Sequence, residues 1–247
     1  MKRLFTTLAC ILCASGTFAQ NRLGDRDPID FSGQRPASAS VQGIDAARFQ
    51  ETIDWRQVKR AGVRFAFLKA TEGGDLLDPK FRVHWRGAGR AKVARGAYHF
   101  YYFCTAPEVQ ARWFIRNVPK AGRNLPPVLD MEWNPFSPTC KRRPPAAQVR
   151  AEMQVWLNEV EAHFRQKPII YTTPGFYEDA ELNRLKGYEF WLRTTAKTPR
   201  EAFPGQAWRF WQFSATGIVP GIAGDVDRNV FNGSQQDWDA WVSNRAR

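Results

Sequence analysis

Two carboxyl side chains lie within a short apolar stretch near the middle of the chain, PPVLDMEW (126–133). The flanking residues are typical of a buried strand, yet Asp130 and Glu132 occur in it two positions apart. Side chains at i and i+2 of a strand share one face, so the carboxyl groups lie about 6–7 Å apart along the backbone. Such neighbours have pKa values pushed apart, so that one stays protonated while the other is ionised. Acid-assisted glycosidic cleavage needs this pair, although an isolated D-x-E is more often two surface residues.

Other predicted strand ends also carry carboxylates. Asp45 lies in the first apolar strand, Glu72 follows the second, and Asp225 and Asp227 come after the last. In a barrel of parallel strands the carboxyl ends of the strands line the active site, and several acids there predict a polar barrel mouth. Taken singly, each of these residues is more often part of a turn or a helix cap.

Motifs for metals, nucleotides and other nucleophiles are missing from the sequence. Its three histidines are widely spaced, with no HExxH and no Cys/His cluster, which argues against a zinc hydrolase. There is no GxSxG elbow and no glycine-rich phosphate loop. The segment 225–236 lacks the glycine and the final acid of a calcium loop. We therefore expect a carboxylate hydrolase with no metal and no cofactor.

Strands alternate with helices along most of the chain, which favours a parallel sheet with helical crossovers. Strands are predicted at 41–47, 64–71, 94–103, 126–133, 168–173, 189–195 and 209–215, and helices at 53–62, 78–91, 106–118, 146–165 and 234–244. This order predicts an α/β protein built as one (β/α) barrel, slightly small for the regular eight-unit form. An open, doubly wound sheet is the alternative.

The N-terminus predicts export. Residues 1–19 have a basic start, an apolar run and the small-residue ending Thr-Phe-Ala, as a signal peptide does. A membrane anchor is the alternative, but the run is short for a bilayer span, so we expect no stable membrane insertion. Residues 20–40 predict a flexible mature N-terminus and 41–247 the catalytic domain. We expect a periplasmic or extracellular protein.

Two cysteines, Cys104 and Cys140, remain after cleavage at the predicted site. In an oxidising compartment an even pair predicts a disulfide, with two separate buried thiols as the alternative. The formal charge of +12 favours anionic partners such as an acidic wall polymer, nucleic acid or anionic lipid. No zinc-finger spacing, recognition helix or aromatic nucleic-acid signature accompanies it, so we do not expect nucleic acid as the partner.

Seven segments, taken together, resemble glycoside hydrolase family 25, the Chalaropsis-type lysozymes that act as N-acetylmuramidases on peptidoglycan. These segments are GIDAARFQETIDW, FAFLKATEGG, GAYHFYYF, VLDMEW, PIIYTTPGFY, FWLRTT and FWQFSATGIVPGIAGDVDRNVFNG. The resemblance runs from about residue 42 to 244. It implies an irregular, flattened, TIM-like (β/α) barrel of one domain, with peptidoglycan glycan strands as the partner. We also expect a monomer.

The resemblance also implies roles for individual residues. Glu132 matches the general acid, and Asp130 matches the residue that supports the 2-acetamido group or the developing cation. Asp45 and Asp227 match residues that orient substrate and water. Implied sugar contacts are Tyr98, Tyr171 and Trp211.

Two departures from the family pattern stand out. The loop 134–145 looks longer than in the simplest members and carries Cys140, which could pair with Cys104. WLRTT (191–195) replaces the more usual WLA-x-Y. The competing functions are a non-catalytic glycan-binding protein on the same fold, a binder of nucleic acid or anionic surfaces, and a hydrolase of another glycan such as chitin.

Overall fold

The computed structural model describes residues 23–31, 33–120 and 124–245, so the predicted signal peptide lies outside the described residues. Within these ranges the chain forms ten strands and seven α-helices. The strands are β1 (Gly24–Asp25), β2 (Gln42–Ala46), β3 (Val63–Glu72), β4 (Leu76–Leu77), β5 (Ala94–Phe100), β6 (Val128–Met131), β7 (Ile169–Thr172), β8 (Glu189–Arg193), β9 (Phe210–Ile218) and β10 (Val226–Phe231). The helices are α1 (Trp55–Arg60), α2 (Phe81–Arg90), α3 (Pro107–Asn117), α4 (Ala146–Phe164), α5 (Pro174–Asp179), α6 (Pro199–Ala202) and α7 (Gln235–Arg245).

Eight of the strands close into a barrel. The order is β9-β10-β2-β3-β5-β6-β7-β8, and β8 pairs back onto β9. Every neighbouring pair from β2 round to β9 is parallel, whereas β10 runs antiparallel to both β2 and β9. The closure confirms the predicted α/β barrel and excludes the open, doubly wound sheet. The single reversed strand makes the barrel irregular.

Aromatic rings fill the barrel at the end where the parallel strands begin. Phe65 lies 5.1 Å from Phe210 between ring centroids, in an edge-to-face contact. Trp238 of α7 packs against the same cluster, so this helix closes the end of the barrel where the parallel strands begin. Gly43 is required here, because a Cβ at this position would lie 2.3 Å from the Phe65 ring. The apolar filling leaves the opposite end, at the carboxyl ends of the strands, for polar residues.

The helices cover the outside of the barrel. In α4, the buried residues Val149, Met153, Trp156 and Val160 recur at helical spacing and face the sheet. The helix ends at Arg165, whose φ of 56° is left-handed. None of the helices in the described ranges combines the length and the apolarity that crossing a membrane would take.

Part of the segment that the sequence predicts to be flexible is packed against the barrel. Gly24–Asp25 pairs with β9 in antiparallel register, and Phe31 is 5% exposed, with its ring 4.8 Å from that of Trp211. The expectation of a flexible N-terminus is therefore wrong for these residues. Their contacts are with residues nearly 200 positions away, which composition alone does not reveal.

The last strand, β10, also differs from the sequence prediction. The sequence predicts no strand at Asp225 and Asp227, which come after the last predicted strand, but Asp227 lies inside β10. Three polar residues follow one another between two valines here, and Asp227 and Asn229 face the barrel interior while Arg228 faces the outer layer. That outer position is buried too, since Arg228 Nη2 donates to Gln42 Oε1 at 2.9 Å.

The structure contains the predicted disulfide, between Cys104 and Cys140. Cys104 follows β5, and Cys140 belongs to the loop 134–145 after β6. The bond therefore fixes this loop to the neighbouring strand end, beside Glu132.

Candidate active site

A cleft of about 430 Å³ opens at the carboxyl ends of the parallel strands. Strand alternation builds it, because interior-facing positions that are apolar deeper in the barrel become polar at its mouth. The residues that line it come from all eight barrel strands and two adjoining loops. They are Asp45, Phe49, Lys69, Tyr98, Phe100, Asp130, Glu132, Tyr171, Trp191, Arg193, Gln212 and Asp227.

Asp130 and Glu132 lie side by side in this cleft, as their spacing predicts. Asp130 is 6% exposed, and none of the described residues hydrogen-bonds to its Oδ1. Burial, followed by the charge of Glu132, raises the pKa of Asp130 well above its usual value. Burial also raises the pKa of Glu132, while the cations Arg193 and Lys69 oppose that rise. A proton is therefore retained on this pair at a pH where ordinary carboxyl groups are ionised.

Asp45 and Asp227 face each other across the pair of strands β2 and β10. Gln212 Nε2 donates to both oxygens of Asp45, at 2.7 and 2.6 Å. Burial and the nearby Asp227 raise the pKa of Asp45 well above its usual value, and the Gln212 hydrogen bonds oppose this. Burial raises the pKa of Asp227 to about 6, against the lowering effect of Arg193.

A hydrogen-bond network holds Asp45, one member of the second carboxyl pair, in place. The Tyr171 hydroxyl donates to Gln212 Oε1 at 3.0 Å, so the amide of Gln212 links the tyrosine to Asp45. On the other side, Trp191 Nε1 donates to Asn229 Oδ1 at 2.7 Å, and Asn229 Nδ2 reaches Asp45 at 3.5 Å. The network fixes the aromatic rings and the carboxylate relative to one another before any ligand binds.

Two cations enter the cleft. Lys69 Nζ lies 2.5 Å from Glu72 Oε2 and 4.8 Å from the centre of the Phe100 ring. Burial alone would raise the pKa of Glu72, but Lys69 and the Tyr102 hydroxyl hold it below its usual value. Glu72, which the sequence places after its second predicted strand, thus serves as the partner of Lys69. The other cation is Arg193, at the end of β8.

Only two of the three predicted aromatic contacts lie in the cleft. Tyr98 and Tyr171 line the cleft, as the resemblance implies. Trp211 does not: it is 2% exposed, faces outward from β9, packs against Phe31, and donates from Nε1 to Thr194 O at 2.8 Å. The implied sugar contact at Trp211 is therefore wrong, because the interior-facing neighbour on this strand is Gln212.

The structure adds residues that the sequence analysis does not single out. Trp191 faces the cleft, and its ring packs edge to face against that of Tyr171 with 4.5 Å between the ring centroids. Phe49, at the rim, is 74% exposed. Alternation along β8 puts Trp191 and Arg193 on one face, but the sequence alone does not say which face is inside. Trp133, which follows Glu132, turns outward: its Nε1 donates to Asp179 Oδ2 at 2.8 Å.

Four carboxyl side chains supply the main reactive groups of the cleft. Within the described ranges, no group of three or more His, Cys, Asp or Glu side chains is placed to hold a metal ion. What the residues can do is transfer protons through the Asp130–Glu132 pair, orient a polar ligand through Asp45 and Asp227, and pack sugar rings against aromatic faces.

The chain is similar to proteins of one family over most of its length. The family model for glycosyl hydrolases family 25 matches residues 44–222. Lysozyme M1 of Streptomyces globisporus is 37% identical over 233 residues, which cover 89% of this chain and 74% of the relative. The uncharacterized protein YegX of Escherichia coli (strain K12) is 38% identical over 224 residues, covering 89% and 79%.

A solved structure gives the same result at the level of the fold. The family 25 glycosyl hydrolase from Bacillus anthracis superposes with a TM-score of 0.78 at 31% sequence identity, covering 87% of this chain and 97% of that chain. With its barrel closed, its carboxylates gathered in one cleft and its sequence matched along this length, the chain belongs to glycosyl hydrolases family 25.

Proposed function

We propose that the protein is a lysozyme that hydrolyses the β-1,4 bond between N-acetylmuramic acid and N-acetylglucosamine in peptidoglycan, with Glu132 as the general acid. The observation that carries the assignment of residues is the Asp130–Glu132 pair, two neighbouring carboxyl groups in one cleft with raised pKa values. Family membership supports the hydrolase activity. A protein that only binds glycan has no need for a shared proton at the base of its cleft.

The chemistry follows from where that proton goes. Glu132 donates its proton to the glycosidic oxygen as the bond from the sugar C1 to that oxygen breaks. Positive charge develops at C1, and the carbonyl oxygen of the 2-acetamido group attacks C1 in support. Water then attacks C1, breaks the bond from C1 to the acetamido oxygen so that the acetamido group is regenerated, and gives a proton back to the Glu132 carboxylate, which restores the acid.

Asp130 would act by receiving the acetamido N–H. Its Oδ1 is buried and has no donor among the described residues, so a bound N–H can occupy it. In the free protein the deeper Asp130 competes with Glu132 for the shared proton, because burial raises both pKa values. A donor on Asp130 favours its ionised form and leaves the proton on Glu132, where the leaving oxygen needs it.

Asp45 and Asp227 complete the proposal as residues that orient substrate and water. Asp45 is fixed by Gln212, while Asp227 is partly open to the cleft. Tyr98, Tyr171 and Trp191 line the cleft beside them, and Tyr98 is the least buried of the three. Aromatic faces and a few fixed polar groups form the usual lining of a sugar-binding cleft.

We also propose that the protein works outside the cytoplasm as a monomer. Peptidoglycan is an extracytoplasmic polymer, and the disulfide between Cys104 and Cys140 supports an oxidising compartment. On this proposal residues 1–19 are removed as a signal peptide and the mature protein is periplasmic or extracellular.

The experiment is digestion of purified peptidoglycan by the mature protein beside Glu132→Gln, with products reduced and analysed by mass spectrometry. We expect soluble muropeptides with reducing N-acetylmuramic acid ends from the wild type, and a loss of about a thousandfold or more in rate for the variant. Near-normal turnover by Glu132→Gln would contradict the acid assignment. Binding without products from folded wild type would indicate a glycan-binding protein.

A further inference from the structure

A second cleft adjoins the catalytic one. Its volume is about 830 Å³, and it lies between the α5 region and the loop that follows β8. Arg193 lines both clefts, so its side chain stands at the boundary between them. The loop beyond it is held in shape by Thr194, whose Oγ1 donates to Lys197 O at 2.8 Å. A ligand seated in the catalytic cleft can therefore extend past Arg193 into a preformed space.

Arg193 is the cation of the cleft that lacks a protein partner. Lys69 is paired with Glu72, whereas the guanidinium of Arg193 makes no ion pair or hydrogen bond with any of the described residues. It acts on the cleft carboxyl groups only at longer range, on Asp45, Glu132 and Asp227. A guanidinium with five free donors beside a binding cleft is suited to a planar anion such as a carboxylate.

Charged residues of both signs line the second cleft. Three of its lining residues are acidic: Glu181 is paired with Arg150 and Arg184, Glu201 accepts a hydrogen bond from Thr198, and the exposed Glu178 forms no ion pair with any of the described residues. Lys197 is exposed at the rim, so a second cation stands near Arg193 in the lining of this cleft.

We propose that Arg193 binds a carboxylate on the side arm of the muramic acid residue, and that the second cleft receives the rest of that arm. The inference rests on the proposed function, because it needs a muramic acid substrate. The lactyl ether of this sugar ends either in a free carboxylate or in a peptide stem that carries carboxylates. Either source offers the anion, and a neutral chitin-type glycan offers neither.

The test measures variants of Arg193 on substrates whose carboxyl groups are either charged or neutralised. Soluble glycan strands are prepared with peptide stems, or stripped of stems by an amidase to expose the lactyl carboxylate. Half of each preparation has its carboxyl groups converted to amides with carbodiimide and ammonia. We measure kcat/KM at one pH for wild type, Arg193→Met and Arg193→Lys. The matched control is Arg200→Met, which removes one exposed charge on α6 outside both cleft linings.

We expect wild type and Arg200→Met to prefer the charged strands by about tenfold or more, as a charge-assisted contact supplies. Arg193→Met should lose this preference, and Arg193→Lys should keep part of it. If the preference for charged over amidated strands is seen only when the stems are present, the ligand of Arg193 is a stem carboxylate. If it is seen only after the stems are removed, the ligand is the lactyl carboxylate.

Two results would overturn the inference. One is an absent preference in the wild type, and the other is a preference that persists unchanged in Arg193→Met. The wild-type result needs no variant, so it stands even if Arg193→Met folds poorly. Failure of the proposed function looks different, because wild type would then cut none of the four preparations.

Discussion

Asp227 lies directly opposite Asp45 in antiparallel register, so the reversed strand β10 brings a second acid against the first parallel strand. The two carboxyl groups come from positions 182 residues apart in the chain. Gln212 of β9 donates to Asp45 alone, and Asp227 is left facing the cleft. The pair thus combines one carboxyl group fixed by the protein with one available to a ligand.

Asp227→Asn should stabilise the fold at neutral pH while impairing activity. The folded-state pKa of Asp227 is raised to about 6 from 3.8, so ionisation as pH rises through this window favours the unfolded state. The neutral amide avoids that cost, about 2–3 kcal/mol in the free energy of unfolding at pH 8. Near pH 3 both states of the wild type are protonated, and the difference should vanish.

Urea denaturation of both proteins at pH 3 and pH 8 checks this prediction. The exposed Asp239→Asn on α7 is a suitable control, because it removes the same charge away from the cleft. An Asp227→Asn variant that is equally stable, or less stable, at pH 8 would contradict the account of its burial.

Gln212→Met should weaken both stability and catalysis. The change removes the donor to both oxygens of Asp45 and leaves only the long contact from Asn229. Since those hydrogen bonds oppose the rise in the pKa of Asp45, that pKa should rise further. We expect a loss of about 1–3 kcal/mol in unfolding free energy. Kinetics on peptidoglycan and denaturation at pH 7 measure the two effects.

Tyr171→Phe is the matched comparison for that variant. It removes the hydrogen bond from the tyrosine hydroxyl to Gln212 Oε1 but leaves the donation from Gln212 to Asp45 in place. Its effect on stability should be about 1 kcal/mol or less. If Tyr171→Phe lowered the free energy of unfolding more than Gln212→Met, the role given to Gln212 would be wrong.

The pH profile of activity should respond to Arg193. Burial raises the pKa of Glu132, and Arg193 is the first of the groups that lower it. Removing the cation in Arg193→Met should therefore raise that pKa and extend activity to higher pH, because the acid stays protonated longer. Measuring kcat/KM against pH on amidated glycan strands separates this effect from binding of a substrate carboxylate. An alkaline limb that moves down in pH would contradict it.

The alternation of strand residues makes much of the site predictable. The period of two in VLDMEW puts Asp130 and Glu132 on the same face, and the structure places both in the cleft. The same rule does not say which face of a strand is interior. On β9 that ambiguity matters: Trp211 faces outward under Phe31, and Gln212 faces the cleft.

Strand β10 shows where sequence reasoning stops. VDRNVF has polar residues on both faces, which gives no amphipathic pattern to recognise. Its inner face is polar because it belongs to the cleft. Its outer face is polar because the terminal nitrogens of Arg228 donate to Gly24 O and Gln42 Oε1, 204 and 186 positions away. Partners so distant in sequence are known only once the barrel is closed.

The disulfide should contribute strongly to stability. Cys104 and Cys140 are separated by 36 residues in the sequence. Closing a loop of this size lowers the entropy of the unfolded chain, which adds about 3–4 kcal/mol to the free energy of unfolding. The double variant Cys104→Ser/Cys140→Ser should lose about this much unfolding free energy. Wild type denatured in reductant should match it, which separates loss of the bond from the effect of the serines.

The same variant should also affect catalysis, since the bonded loop borders the acid. Cys140, Arg142 and Arg143 line a small pocket together with Glu132. Arg142 Nη1 donates to Phe103 O at 3.3 Å, and the Arg143 guanidinium lies 5.0 Å from the Trp133 ring, so weaker contacts remain when the bond is lost. We therefore expect KM to rise more than kcat falls. A variant with unchanged KM and unchanged stability would mean that these contacts hold the loop without the disulfide.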